Sequence, residues 1–302
     1  MLLRIIKKLE YKSDLERLKT TKQILQSKNI NFIEQKYSFK IFEGTNLIVD
    51  VGNLKSKKHI ILSAHFDVVS GSPGANDDAS GIAILIDVIE TLKNQRFLGP
   101  RKSDECERVK RVHSHATGFS RELRKLKLKN KIRIIFFDDE EIGRFGSISY
   151  IKKYGLKDLI AVYHLELCGM GDVIGLWPIT KMNKDSYALK IIEQVLKQKN
   201  IYFERLPQLP AFWGDDLSFR NAGFKHALCV SVGPKEDKEA IKRFVKSNPF
   251  KVIFDFYTGR LPKMFQLYHS SEDKSEYLSE KALKMVSDIL AEVVLRFDKE
   301  NL

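Results

Sequence analysis

The chain has 302 residues, 43% hydrophobic and 30% charged, which supplies apolar side chain for a sizeable core and excludes a wholly disordered sequence. No apolar run reaches the roughly 18 residues that span a bilayer, and Met1-Leu2-Leu3-Arg4 is only a stub of hydrophobicity before Lys7 and Lys8, so neither membrane insertion nor secretion is expected. The net charge of +13 is uneven, with twelve Lys/Arg against four Asp/Glu between Asn94 and Lys131 and a mildly basic remainder.

Apolar spacing predicts a helix over Lys12–Lys28, with Ser13 as its N-cap. Asn31–Phe42 and Asn46–Val51 then read as a hairpin with Gly44 as the turn signal. His59–Ala64 is a short apolar run, the mark of a strand buried on both faces, and its end carries His65 and Asp67. A helix over Ala79–Lys93 and a second buried strand over Lys131–Asp138 follow. Beyond them come a helix Gly146–Tyr154, a strand Leu159–Leu167, helices Asp185–Gln198 and Asp216–Ala222, a strand His226–Val232 and a closing helix Ser279–Lys299. The alternation predicts one α/β domain, a mixed, mostly parallel sheet flanked by helices. Two stretches interrupt it: the basic insertion at about 95–130 and the polar, Pro-broken loop at about 233–267. Cys106, Cys168 and Cys229 are too scattered for a disulfide framework or a metal knuckle, which suits a reducing, cytoplasmic setting.

Three motifs carry chemistry. In His65-Phe66-Asp67, side chains two apart at a strand end emerge together, suiting a metal ligand with its orienting partner. Asp77-Asp78 stands in a Gly/Pro turn before a helix, where helix capping is the alternative role. Asp138-Asp139-Glu140-Glu141 closes a buried strand, where a cation explains four adjacent acids better than solvent does. Zinc takes imidazole and carboxylate ligands while a further carboxylate accepts a proton from water, and Glu140 and Glu141 can divide those tasks. Glu166 ends another strand and His269 follows the long polar loop, so the set gathers where open α/β sheets bind ligands, outside the carboxyl ends of the strands.

The string Ala64-His65-Phe66-Asp67 followed by Ser72-Pro73-Gly74-Ala75-Asn76-Asp77-Asp78-Ala79-Ser80-Gly81 resembles the signature of the co-catalytic zinc aminopeptidases, metallopeptidase family twenty-eight. Phe136–Gly143 is similar to the family's Glu-Glu-x-Gly segment, Glu166 with Gly169 and Gly171-Asp172 to its Asp-Met-x-Gly segment, and Tyr268–Asp273 to its Tyr-His-Thr motif. The resemblance covers about residues 13–299. It implies two zinc ions, with cobalt or manganese as other candidate metals, bridged by Asp77. His65 and Glu166 would complete one shell, Glu141 and His269 the other. Asp67 would orient His65, and Glu140 would be the general base. A cis peptide at Asp77-Asp78 is also implied. The sequence departs from the family at Glu166, where Asp is usual, and at Gly214-Asp215-Asp216, where Ser-Asp-His is common, so Asp216 replaces a His. An acid there would suit a substrate ammonium group or cap a helix.

The expected activity is a zinc-dependent exopeptidase, an aminopeptidase acting on a peptide substrate. Glutaminyl cyclisation on a related one-zinc scaffold, a deacylase and a non-catalytic binding protein are the alternatives. Topology places the basic insertion away from the metals, with His113 and His115 outside the ligand set, and the 233–267 loop beside them as a lid. The basic insertion has no aromatic platform, so nucleic acid is not an expected partner.

Overall fold

The computed structural model describes residues 1–94, 128–208, 212–246, 248–258 and 260–300. Among the described residues, eight strands form one sheet: β1 Ile33–Phe39, β2 Phe42–Gly52, β3 His59–His65, β4 Lys131–Phe137, β5 Leu159–Leu165, β6 Val173–Trp177, β7 Phe203–Arg205 and β8 Ala227–Gly233. Their spatial order is β1-β2-β4-β3-β5-β8-β6-β7. The pairs β3/β4, β3/β5, β5/β8 and β6/β7 are parallel. The remaining three, β1/β2, β2/β4 and β6/β8, are antiparallel. The mixed, mostly parallel sheet expected from the sequence is the one observed.

Helices cover both faces because the central strands are apolar on both. Ile60, Leu62 and Ala64 of β3 enter the larger core, together with α1 Leu2–Leu9, α3 Ser80–Asn94, α5 Tyr187–Gln198 and α10 Glu280–Lys299. Ile61, Ile135 and Val162 enter a smaller core closed by Tyr150 of α4 Phe145–Tyr154 and Phe219 of α6 Asp216–Asn221. The period-2 alternation of strand side chains makes this division. Helix α2 Asp14–Ser27 starts at the expected Ser13 cap, with Glu16 returning the hydrogen bond of a capping box.

Four sequence expectations are corrected. The opening residues are not merely a hydrophobic stub: Leu2, Ile5, Ile6 and Leu9 are buried on one side of α1. The hairpin turns at Lys40-Ile41, and Gly44 lies inside β2 opposite Tyr37, whose hydroxyl would stand 2.3 Å from a Cβ there. Strands β6 and β7 were not anticipated, being only five and three residues long. The segment 233–267 is not an irregular loop, because it contains α7 Lys238–Val245, α8 Pro249–Tyr257 and α9 Lys263–Gln266, its prolines standing at helix starts rather than interrupting them. Most of the basic insertion, with Cys106, His113 and His115, lies outside the described residues. Among the described residues, no helix is long and apolar enough to cross a membrane.

Candidate metal centre

The parallel strands deliver their last residues to one edge. His65 ends β3, Glu166 stands one residue beyond β5, and Glu140 and Glu141 stand in the turn after β4. Asp77 comes from the turn between β3 and α3, across a cis Asp77-Asp78 peptide, and His269 from the chain between α9 and α10. The two acids of that turn divide their work. Asp78 Oδ1 accepts from Gly81 N at 2.9 Å and so caps α3, while Asp77 faces the histidines.

The contacts form two groups that share Asp77. His65 Nε2 lies 3.1 Å from Asp77 Oδ1 and 3.7 Å from Glu166 Oε1. His269 Nε2 lies 3.3 Å from the other oxygen, Asp77 Oδ2, and 2.9 Å from Glu141 Oε2. His65, Asp77 and Glu141 offer ligand atoms all within 4.8 Å of one another. Thus all five residues expected to ligate are brought together. Asp67 stands with its Oδ1 3.3 Å from His65 Nδ1, where an orienting residue is needed, and its Oδ2 accepts from Glu141 N at 2.9 Å.

Burial decides the electrostatics. It pushes the Glu140 carboxyl well above its ordinary value, with Glu166, Asp215 and Glu141 adding to the rise. It raises Glu141 and Glu166 to about 7, each reinforced by the charge of Asp77. Asp77 itself, although buried, is held below the usual carboxylate range by His269 and His65. Burial would lower His269, yet Asp77 and Glu141 lift it to about 10, and His65 is raised in the same way by Asp67, Asp77 and Glu166. Such a set keeps protons where a divalent cation would displace them.

The fit to a cation also rests on orphaned atoms. Glu140 Oε1 and Glu141 Oε1 are buried with no hydrogen-bond partner, and His269 Nε2 approaches two carboxylates without a directed hydrogen bond to either. Buried polar atoms left in this state cost about 1–3 kcal/mol each unless something answers them. Carboxylate oxygens and imidazole nitrogens are the donor set of zinc.

Sequence reasoning missed the supporting residues. Asp273 Oδ1 and Oδ2 accept from Asn76 N at 2.8 Å and Asp77 N at 3.0 Å, fixing the turn that presents Asp77. Arg17 is completely buried, donating from Nη1 to Gly74 O at 3.1 Å, with Asp77, Asp78, Asp67 and Asp273 around it. Nothing in the local sequence of α2 distinguishes Arg17 from a surface charge. His164, also fully buried, stands two residues before Glu166, and that period-2 spacing was the signal available. Asp215 occupies the N-cap position of α6 but makes no capping hydrogen bond, and Asp216 pairs instead with Arg220 at 2.8 Å.

A mixed sheet with imidazole and carboxylate groups converging at its strand ends defines an α/β protein with a candidate metal site. The chain belongs to Peptidase family M28, whose sequence model matches residues 46–294. Aminopeptidase YwaD of Bacillus subtilis is 22% identical over 254 residues, 82% of this chain and 43% of that protein. A solved zinc aminopeptidase of Bacillus subtilis, BSAP, superposes with a TM-score of 0.57 at 20% identity, over 85% of this chain and 51% of that one. The Porphyromonas gingivalis glutaminyl cyclase superposes with a TM-score of 0.63 at 15% identity, over 100% of this chain and 97% of that one. The chain therefore spans about half the length of these two Bacillus aminopeptidases.

Proposed function

We propose that this chain is a zinc-dependent aminopeptidase that works with two metal ions. The observation that carries the reading is the division of Asp77: one oxygen faces His65 and Glu166, the other faces His269 and Glu141. A carboxylate whose two oxygens face separate imidazole and carboxylate partners would suit two cations held side by side. His65 and Glu166 would hold one ion, Glu141 and His269 the other, with Asp67 keeping the His65 ring in place. When bound, the zinc ions supply Lewis-acid polarisation of the scissile carbonyl and acidification of water.

Proton movement falls to Glu140. Its Oε1 is buried and unpartnered, and its raised affinity for a proton suits a group that takes one from water and returns it to the departing amine. Asp215, pushed up to about 6 by burial, is the acid available beside it for a substrate's ammonium group. The segment 233–267 approaches this site through its end: Phe265 packs at a tilt against Phe212, which contacts Tyr268, whose ring centroid lies 3.6 Å from that of His269. It is proposed as the element that selects the substrate side chain. The cytoplasmic setting belongs to the same proposal and rests on cysteine usage, with Cys168 and Cys229 as buried free thiols.

One observation favours a second reading. The glutaminyl cyclase is matched over nearly its whole length, whereas the aminopeptidases are longer. A panel of free aminoacyl, N-blocked and glutaminyl substrates, assayed with and without chelator and with Glu140→Gln, separates the two. The aminopeptidase reading predicts release of the N-terminal residue from free amines only. Chelation would abolish it, zinc would restore it, and Glu140→Gln would lower it about 10²–10⁴-fold. Pyroglutamyl product without peptide hydrolysis would establish cyclisation, and chelator-resistant hydrolysis unaffected by Glu140→Gln would reject the mechanism.

A further inference from the structure

Beneath the proposed metal site the sheet carries one polar rung. Ser63 of β3 and His164 of β5 are register partners, and both side chains are fully buried. The next residues on the same face are His65 and Glu166. His164 Nε2 lies 3.2 Å from Glu166 Oε2, and His164 Nδ1 lies 3.2 Å from Ser63 Oγ. The other carboxylate oxygen, Glu166 Oε1, is the one turned toward His65.

Hydrogen-bond direction follows from elementary accounting. A carboxylate that ligates a cation has given up its proton and only accepts, so in that state the imidazole presents Nε2–H to Glu166, and its remaining lone pair on Nδ1 accepts from the Ser63 hydroxyl. Donation then runs one way, from Ser63 to His164 to Glu166. With Oε2 occupied, Glu166 keeps a single oxygen, in a fixed direction, for whatever His65 and Asp77 also face.

The ring needs room, and Gly214 provides it. A Cβ at position 214 would stand 2.6 Å from His164 Cδ2 and 3.1 Å from Nε2, so even alanine would displace the ring. Two separate departures from the related pattern, Glu166 and Gly214, therefore meet at this histidine.

We infer that His164 is a positioning residue which, through Glu166, fixes one of the two proposed cation positions, and that Gly214 is required for it to do so. The inference rests on the two-ion reading above, and the experiment separates the failure of one from the failure of the other. Wild type, His164→Leu, His164→Gln and Gly214→Ala are purified at full length and titrated with zinc against a competing chelator dye, with the melting temperature of each metal-free protein recorded. In His164→Leu, affinity at one of the two positions falls about 10–100-fold, the range for loss of an outer-shell partner, while the other position keeps its wild-type affinity. His164→Gln, whose amide can still donate to Glu166, recovers part of the loss. Gly214→Ala reproduces it in a chain that retains His164, and so serves if His164→Leu fails to fold. A merely structural histidine would lower the melting temperature and leave both affinities unchanged, or weaken both equally without rescue by Gln, and either result overturns the inference alone. A folded wild-type chain that takes up no zinc overturns the two-ion reading and this inference together.

Discussion

On the α3 and α10 side of the sheet, Ile60, Leu62 and Ala64 of β3 lie beside Ile132, Ile134 and Phe136 of β4 and Ala161, Tyr163 and Leu165 of β5 in a continuous apolar layer. On the α4 and α6 side β3 and β5 begin alike, with Ile61 beside Val162, but two residues further on the pair is Ser63 with His164, and beyond that come His65 and Glu166. One face is apolar along its length, while the other turns from apolar to ionisable within a single strand. The difference divides the work: burial of hydrocarbon on the first face supplies stability, and the second accepts an electrostatic cost so that unscreened groups stand ready for a cation.

That division can be broken by substitutions that should affect one face only. The largest effect belongs to His269→Ala. Loss of one proposed ligand should lower kcat/KM on an aminoacyl substrate about 10³-fold or more, equivalent to about 4 kcal/mol. At about pH 10 and above, where the raised imidazole has given up the charge that pairs with Asp77 and Glu141, the melting temperature of the metal-free chain should barely change, because His269 is partly exposed. A steady-state assay beside a thermal melt tests this, and a large fall in metal-free stability at that pH would contradict the division. Phe136→Ala, on the apolar face, should do the reverse. It should cost about 3–5 kcal/mol of stability by denaturant unfolding while the folded fraction keeps its zinc content.

The pH dependence is smaller and sharpens the contrast. Glu141 and Glu166 hold protons in the folded chain up to about 7 that the unfolded chain releases near the ordinary carboxylate value, so their contribution to stability falls as pH rises between those limits. His269, raised to about 10, contributes stability that is complete below its unfolded value and is lost as pH rises through the folded one. Both signs agree. Metal-free protein should lose stability from about pH 4.5 to pH 10, by up to about 1.4 kcal/mol per pH unit for each proton retained only in the folded state. Saturating zinc should reverse the trend between pH 5 and 8, since ligation releases those protons. Melts at fixed ionic strength, with and without zinc, check it, and metal-free stability that rises over this range would contradict the assignment.

The apolar face was the more legible in the sequence. β3 and β4 read as short, mainly apolar runs, and α3 and α10 as helices, because tertiary packing there agrees with local pattern. Short edge strands such as β6 and β7 carry too few residues for a period to show. At the site, the residues proposed to face a cation were legible because each ends a strand or sits in a motif. The residues that hold them were not. Arg17 looks solvated on a helix until the turn at Gly74 closes over it, and His164 looks like one polar interruption of an apolar strand until Glu166 is placed beside it. Their roles depend on contacts with Gly74 and Ser63, 57 and 101 residues away along the chain, which no local composition announces.

The shared carboxylate is the central claim, and the metal content of Asp77→Ala tests it most directly. Wild-type chain loaded with zinc and desalted should retain two ions, and Asp77→Ala, still folded by circular dichroism, should retain neither firmly, because both groups of ligands lose a member at once. An Asp77→Ala chain that keeps the wild-type zinc complement would show that the two groups do not share that carboxylate and would contradict the account.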